Sequence, residues 1–289
     1  MEHSQDTRNS TGGVAPHPFK IMKLKDYITL LGTFFGILAI WTCIDQMRDP
    51  QIQVAQTLDY LGNLWMAALY IAIGTGCDLL DGYVARKLNQ HNDIGGELDS
   101  LSDVIVFSVA PAVFMYSVYV TQLGGTWAHP FLFLASVSFV CCGVIRLAWF
   151  NISKDAEGYV GLVVPVGALY LVMYYIMNLF WDAIKWYPSL NPIIYAITPF
   201  FIFLVGFLEI SPFLTYDKSV KKKQGQTKIG IFVSIGLGIV MVICGIWFFA
   251  IAAVITFSVT VTGFLMITIY ILIGFRNWLR GRRAVKEIA

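Results

Sequence analysis

Asp78-Leu-Leu-Asp81-Gly82-Tyr-Val-Ala85-Arg86, eight further residues, then Gly95-Gly-Glu-Leu-Asp99-Ser-Leu-Ser-Asp103: this stretch decides how the 289-residue chain is read. Asp78, Asp81, Gly82, Ala85 and Arg86 fall at i, i+3, i+4, i+7 and i+8, a spacing that gathers side chains on one face of a helix. Asp99 and Asp103, four apart, stack on one face of a second helix. Strongly apolar sequence flanks both runs. An ionised Asp at the centre of a membrane helix costs roughly 2.5–3.5 kcal/mol on insertion scales, so four of them here need a compensating charge. Hard oxygen ligands from two facing helices supply it by holding divalent cations, a pair of Mg²⁺ or Mn²⁺ ions.

Outward from these helices the composition is that of a membrane protein. Hydrophobic residues make up 57% of the chain and charged residues 13%, against about 25% charged in soluble domains. Apolar runs lie at about 28–48, 57–86, 97–122, 131–152, 160–181, 192–213 and 229–275. The last is too long for one crossing, because about 20 residues span the hydrocarbon core, and it reads as two helices turning near 249–254. The expected fold is therefore an all-α integral membrane protein of about eight transmembrane helices. Its parts are a disordered polar tail over 1–17, an interfacial amphipathic helix over 18–27, a six-helix core over 28–213, a basic loop over 214–228, two additional spans over 229–275 and a basic tail over 276–289. The alternation in Phe19-Lys-Ile-Met-Lys-Leu-Lys-Asp26 suits a helix lying on an anionic leaflet, though an ordinary cationic flank reads the same way.

The basic residues orient these spans. With the N-terminus inside, the cytoplasmic segments hold Lys20, Lys23, Lys25, Arg86, Lys87, Lys154, the cluster from Lys218 to Lys228 and the C-terminal cluster from Arg276 to Lys286. The outer segments hold Arg48 and Lys185. That asymmetry follows the positive-inside rule and places the Asp78–Asp103 stretch, between helices, at the cytoplasmic face. Cys43, Cys77, Cys141, Cys142 and Cys244 lie in apolar runs without metal or redox spacing and read as small buried residues rather than a disulfide framework.

Three further residues stand out. Arg146 lies inside the 131–152 run, and an intramembrane Arg is a functional-site hypothesis: it would meet a phosphate or carboxylate of a substrate, or else pair with a site carboxylate. Glu209, near the end of the 192–213 run, reads equally well as a snorkelling acid or a site residue. His91 reads as a solvated loop residue.

The eight fixed positions Asp78, Asp81, Gly82, Ala85, Arg86, Gly95, Asp99 and Asp103 match, at every spacing, the signature of the CDP-alcohol phosphatidyltransferases, and the chain is identified as resembling that family. The resemblance covers about residues 26–170. It implies transfer of a phosphatidyl or archaetidyl group from a CDP-activated lipid to the hydroxyl of a small polar alcohol, with release of CMP. It implies metal ligation by Asp78, Asp81, Asp99 and Asp103, with Asp103 also the general base, and CDP-lipid binding by Gly82 and Arg86. The run Glu97-Leu-Asp-Ser-Leu-Ser-Asp103 and the run Arg146-Leu-Ala-Trp149-Phe-Asn151 resemble the phosphatidylserine/archaetidylserine synthase branch, so serine is the first acceptor, with inositol phosphate as the alternative. Trp149 stands where that branch usually has Arg, and Gly32 where it usually has Asn. The expected partners are the CDP-lipid, the alcohol, the bilayer and a second copy in a homodimer, without nucleic acid. Two other classes fit acidic membrane helices: an intramembrane prenyltransferase, whose Asp motifs lie far apart in sequence, and a divalent-cation transporter, whose carboxylates line both leaflets.

Overall fold

The computed structural model describes residues 21–48, 64–90, 93–123, 126–153, 159–184, 191–216 and 249–288. They form helices α1 (Leu24–Arg48), α2 (Trp65–Lys87), α3 (Asp93–Asp103), a π-helical turn (Val104–Val109), α4 (Ala110–Leu123), α5 (Ala128–Ile152), α6 (Val164–Ile184), α7 (Asn191–Ile210) and α8 (Phe249–Ile288). The two-residue strands β1 (Tyr159–Val160) and β2 (Thr215–Tyr216) pair antiparallel and tie the start of α6 to the end of α7. Leu24–Arg48, Ile94–Val120, Ala128–Ile152, Ile193–Ile210 and Phe257–Arg280 are each long and apolar enough to cross a membrane. The outward faces of α1 (Leu31, Phe34, Trp41), α5 (Phe133, Leu134, Ile145) and α8 (Leu265, Ile269, Leu272) are apolar, as lipid contact requires. The chain is an all-α, multi-pass membrane protein.

Several boundaries have local causes. At the start of α1, the Asp26 carboxylate accepts the Lys23 backbone N–H at 2.8 Å, satisfying a donor that the helix leaves orphaned. The stretch 18–27 divides here: Ile21 is helical, Met22 and Lys23 are not, and α1 begins at Leu24. Residues 1–20 lie outside the described residues. α2 ends where Asn89 adopts φ 48°; the Gln90 N–H then reaches back to the Ala85 carbonyl at 3.0 Å, a left-handed helix stop. The Gln90 side chain in turn accepts the Lys25 N–H at 3.3 Å, latching the end of α2 to the start of α1.

α1, α2 and the π turn approach closely because small residues meet there. A Cβ at Gly74 would stand 2.9 Å from Val106 Cγ1, and one at Gly32 would stand 3.1 Å from Cys77 Cβ. The Gly32 that departs from the branch pattern is thus a helix-packing residue. The π turn precedes Pro111, which has no N–H and whose ring would collide with the carbonyl four residues back in a regular helix. The wider turn, with the Ala110 N–H bonded to the Ile105 carbonyl, absorbs that defect without stopping the span.

Residues 249–254, where the sequence predicts a turn, are instead helical, as part of α8 from Phe249 onward; the first of the two expected additional spans and most of the expected basic loop fall in 217–248, outside the described residues. α8 runs to Ile288, so the stretch expected as a tail continues the last helix. It packs on α6, where Tyr170 stacks on Phe264 at 4.4 Å and bonds to the Thr268 hydroxyl at 2.8 Å. Cys43 and Cys77 are buried as expected, whereas Cys141 faces outward.

Candidate active site

Helices α2 and α3 bring the signature carboxylates together. One oxygen from each of Asp78, Asp99 and Asp103 lies within 4.8 Å of the other two. Asp78 comes from α2, and Asp99 and Asp103 from successive turns of α3, so the set closes only because the two helices face each other. Three hard anionic oxygens at this separation suit a divalent cation. Asp81 stands one turn beyond Asp78, outside this triad. Its carboxylate accepts the Thr29 hydroxyl at 2.6 Å, which turns it toward a neighbouring cleft.

That cleft, of about 220 Å³, is lined by Lys25, Thr29, Asp81, Gly82, Gly95, Gly96 and Asp99, among others. Gly82 shapes its wall in a specific way. The Arg86 guanidinium folds back over it, with Nη1 3.4 Å and Nη2 3.9 Å from where a Gly82 Cβ would stand. A Cβ at Gly82 would stand in van der Waals contact with Arg86, so only a larger side chain there would displace the guanidinium. Lys25 adds a second cation, held by Asp26 at 2.7 Å. The Asp81 and Asp99 carboxylates and the Lys25 cation thus share one opening, with Arg86 close by over Gly82, a setting suited to an anionic ligand carrying metal.

A second layer holds α3 in place. The Thr33 hydroxyl donates to Ser102 at 2.7 Å, and the Ser102 hydroxyl reaches the Thr29 carbonyl at 3.3 Å, so α1 grips the helix of Asp99 and Asp103. At the end of α5, the Asn151 amide donates to Ser100 at 2.9 Å. The second sequence run, Arg146 to Asn151, therefore does touch the carboxylate helix, but through Asn151. Arg146 is buried and does not line the cleft; it lies beside Gly161, which precedes α6 and packs on Glu209 at the end of α7. Trp149 points outward, 58% exposed. Glu209 is fully buried, which overturns the snorkelling reading. His91 lies outside the described residues.

Comparison with known proteins agrees with this geometry. Residues 22–205 match the family described as CDP-alcohol phosphatidyltransferase. The chain belongs to that family. Membership sets aside the prenyltransferase and transporter readings and implies a divalent-metal centre, for which the Asp78, Asp99 and Asp103 cluster is the fitting site. Among curated relatives, the CDP-diacylglycerol–serine O-phosphatidyltransferase of Methanocaldococcus jannaschii is 35% identical over 153 residues, 53% of this chain and 60% of the relative. The archaetidylserine synthase of Methanothermobacter thermautotrophicus is 31% identical over 165 residues, 54% of this chain and 59% of the relative. The Helicobacter pylori (strain 26695) enzyme named CDP-diacylglycerol–serine O-phosphatidyltransferase is 34% identical over 180 residues, 61% of this chain and 70% of the relative. The matched region thus spans about 60% of the length of the first two.

Lys25, Thr33, Ser102 and Glu209 are the contributors that the motif does not contain. Of these, Lys25 carried a signal in sequence as an N-terminal cation and Glu209 as an acid near the end of an apolar run; Thr33 and Ser102 depend on which helices touch.

Proposed function

We propose that the chain transfers a phosphatidyl or archaetidyl group from a CDP-activated lipid to the hydroxyl of L-serine, releasing CMP. The observation that carries this reading is the meeting of the Asp78, Asp99 and Asp103 carboxylates beside a cleft walled by Gly82, with Arg86 folded over it. The names borne by its relatives in bacteria and archaea support serine as the acceptor.

In this reading Asp78, Asp81, Asp99 and Asp103 hold two Mg²⁺ or Mn²⁺ ions. Bound there, the ions would offset the negative charge of the diphosphate and of the departing CMP. Arg86, laid over Gly82, pairs with a donor phosphate, and Lys25 supports it from the facing helix. Asp103 accepts the proton of the serine hydroxyl as its oxygen attacks the lipid-bearing phosphorus. A new P–O bond forms, the P–O bond to the CMP phosphate breaks, and CMP leaves with that electron pair. A carboxylate of ordinary basicity is a weak base for an alcohol, so alignment of the hydroxyl provides much of the rate.

The experiment is CMP release by the purified protein with CDP-diacylglycerol or CDP-archaeol, over a panel of serine, inositol phosphate and glycerol phosphate. Serine is expected to give the highest kcat/KM; preference for a phosphorylated alcohol would transfer the assignment to that acceptor. Arg86→Lys tests the donor contact. A point charge loses the bidentate geometry of a guanidinium, and a charge-assisted contact is worth about 1.5–3 kcal/mol, so the donor KM should rise at least about tenfold while the serine KM holds. An unchanged donor KM would remove Arg86 from the phosphate site.

We further propose that the site opens to the cytoplasm. The cationic ends Lys23, Lys25, Arg86 and Lys87 belong to the same side of α1 and α2 as the carboxylates, in keeping with the positive-inside rule. Single cysteines introduced at 218–224 and at the C-terminus should react with an impermeant thiol reagent only after the cytoplasmic side is opened. Labelling from outside would invert the topology.

A further inference from the structure

Behind the carboxylate site, one acid gathers four segments of chain. Glu209, in the last turn of α7, is completely buried, although an acid in a membrane helix is costly to bury. Glycines make its seat. One carboxylate oxygen, Oε1, occupies the space a Cβ at Gly167 of α6 would need. The other, Oε2, is 3.4 Å from the Cβ position of Gly143 in α5, a position that Ser108 Oγ of the π turn already fills. The Glu209 carbonyl fills the Cβ position of Gly161, whose φ of +83° suits glycine, and Arg146 Nε lies 3.5 Å from the same point. Arg146 is the cation whose charge acts on Glu209. Among the described residues neither Glu209 oxygen nor Ser108 Oγ has a hydrogen-bond partner, so packing and charge hold the group.

This seat is coupled to the active site by one continuous helical run. Asp99 and Asp103 end α3, the π turn follows without a break, and Ser108 lies five residues beyond Asp103. Leu162 N–H to the Leu208 carbonyl at 2.8 Å and Gly161 N–H to the Leu214 carbonyl at 2.9 Å fasten the segment before α6 to the end of α7 around the same point. The Glu209 carboxylate thus packs against Gly167 and Gly143, where Ser108 also sits, and Ser108 shares a helical run with Asp103.

We propose that Glu209, with Arg146 and Ser108, is a positioning device that sets where Asp99 and Asp103 stand relative to Asp78. This assignment rests on the site reading given above, and Glu209 itself touches no reacting atom. It gives Arg146 a role behind the carboxylate helix in place of direct contact with the acceptor.

Two variants perturb the device in opposite ways. Gly167→Ala keeps every charge and forces the carboxylate off its seat. Glu209→Gln keeps the shape and removes the charge. Each is made in the full chain in detergent, its unfolding midpoint recorded, and Mn²⁺ affinity measured by electron paramagnetic resonance well below that midpoint, alongside kcat and both KM values. The expected result is Mn²⁺ affinity at least fivefold weaker and kcat at least tenfold lower in both variants, with the donor KM within twofold of the parent. Mn²⁺ affinity and kcat within twofold of the parent in either folded variant would overturn the proposal. Glu209→Asp, which restores the charge, is expected to recover part of the Mn²⁺ affinity lost in Glu209→Gln; no recovery would also count against it. If the parent binds Mn²⁺ and the variants weaken it as expected, while no alcohol supports CMP release, the transferase reading fails and the positioning role stands.

Discussion

Asp78→Asn, Asp99→Asn and Asp103→Asn are each expected to lower CMP release by about 10³-fold or more, equivalent to about 4 kcal/mol of transition-state stabilisation. The size follows from the geometry. One oxygen from each of the three carboxylates lies within 4.8 Å of the others, so each change removes a third of the triad's negative charge from the place where cations must sit. Asn is nearly isosteric, so all three variants should remain folded and unfold near the parent midpoint. Asp81→Asn is the informative fourth case. Its carboxylate sits outside the triad and accepts the Thr29 hydroxyl at 2.6 Å, so its loss should be similarly severe if it ligates a second ion, and near tenfold if it only shapes the cleft. Activity is measured by CMP release at saturating donor; near-parental activity in any triad variant would remove that residue from the centre.

The second large effect is metal removal. A chelator is expected to abolish transfer completely, and Mg²⁺ or Mn²⁺ in excess should restore it, because among the described residues the cations beside the cleft are too few to neutralise the triad. Lys25 is engaged by Asp26 at 2.7 Å and Arg86 lies over Gly82; two cations already placed for the donor cannot also neutralise three carboxylates. The parent should also gain thermal stability on binding Mn²⁺, since a ligand that binds only the folded state stabilises it. Transfer at the full rate in the presence of chelator would exclude a metal role.

The carboxylate meeting was legible in the sequence because it depends on two local regularities. The i, i+3 and i+7 spacing of α2 and the i, i+4 spacing of α3 survive whatever the rest of the bundle does, and a short connection brings the two helices side by side. Gly82 and Arg86 were legible for the same reason, although that Arg86 lies on Gly82 was not. What stayed hidden was every feature set by contact between distant segments. Glu209 is near the end of an apolar run, where an acid usually reaches water, and only the glycines at 143, 161 and 167 show why it is enclosed instead. Arg146 had the burial expected of a functional residue, but its neighbourhood belongs to α7 and not to the cleft. Pro111 interrupts a regular helix, yet the chain absorbs it in a π turn just before it, which preserves the span.

The most direct test of the central claim is a product balance. The purified protein in detergent with CDP-diacylglycerol, Mg²⁺ and isotopically labelled serine should convert label into chloroform-soluble lipid in a one-to-one ratio with CMP released, and Asp103→Asn should lose both together. CMP appearing without labelled lipid, or labelled lipid formed at the parental rate by Asp103→Asn, would contradict it.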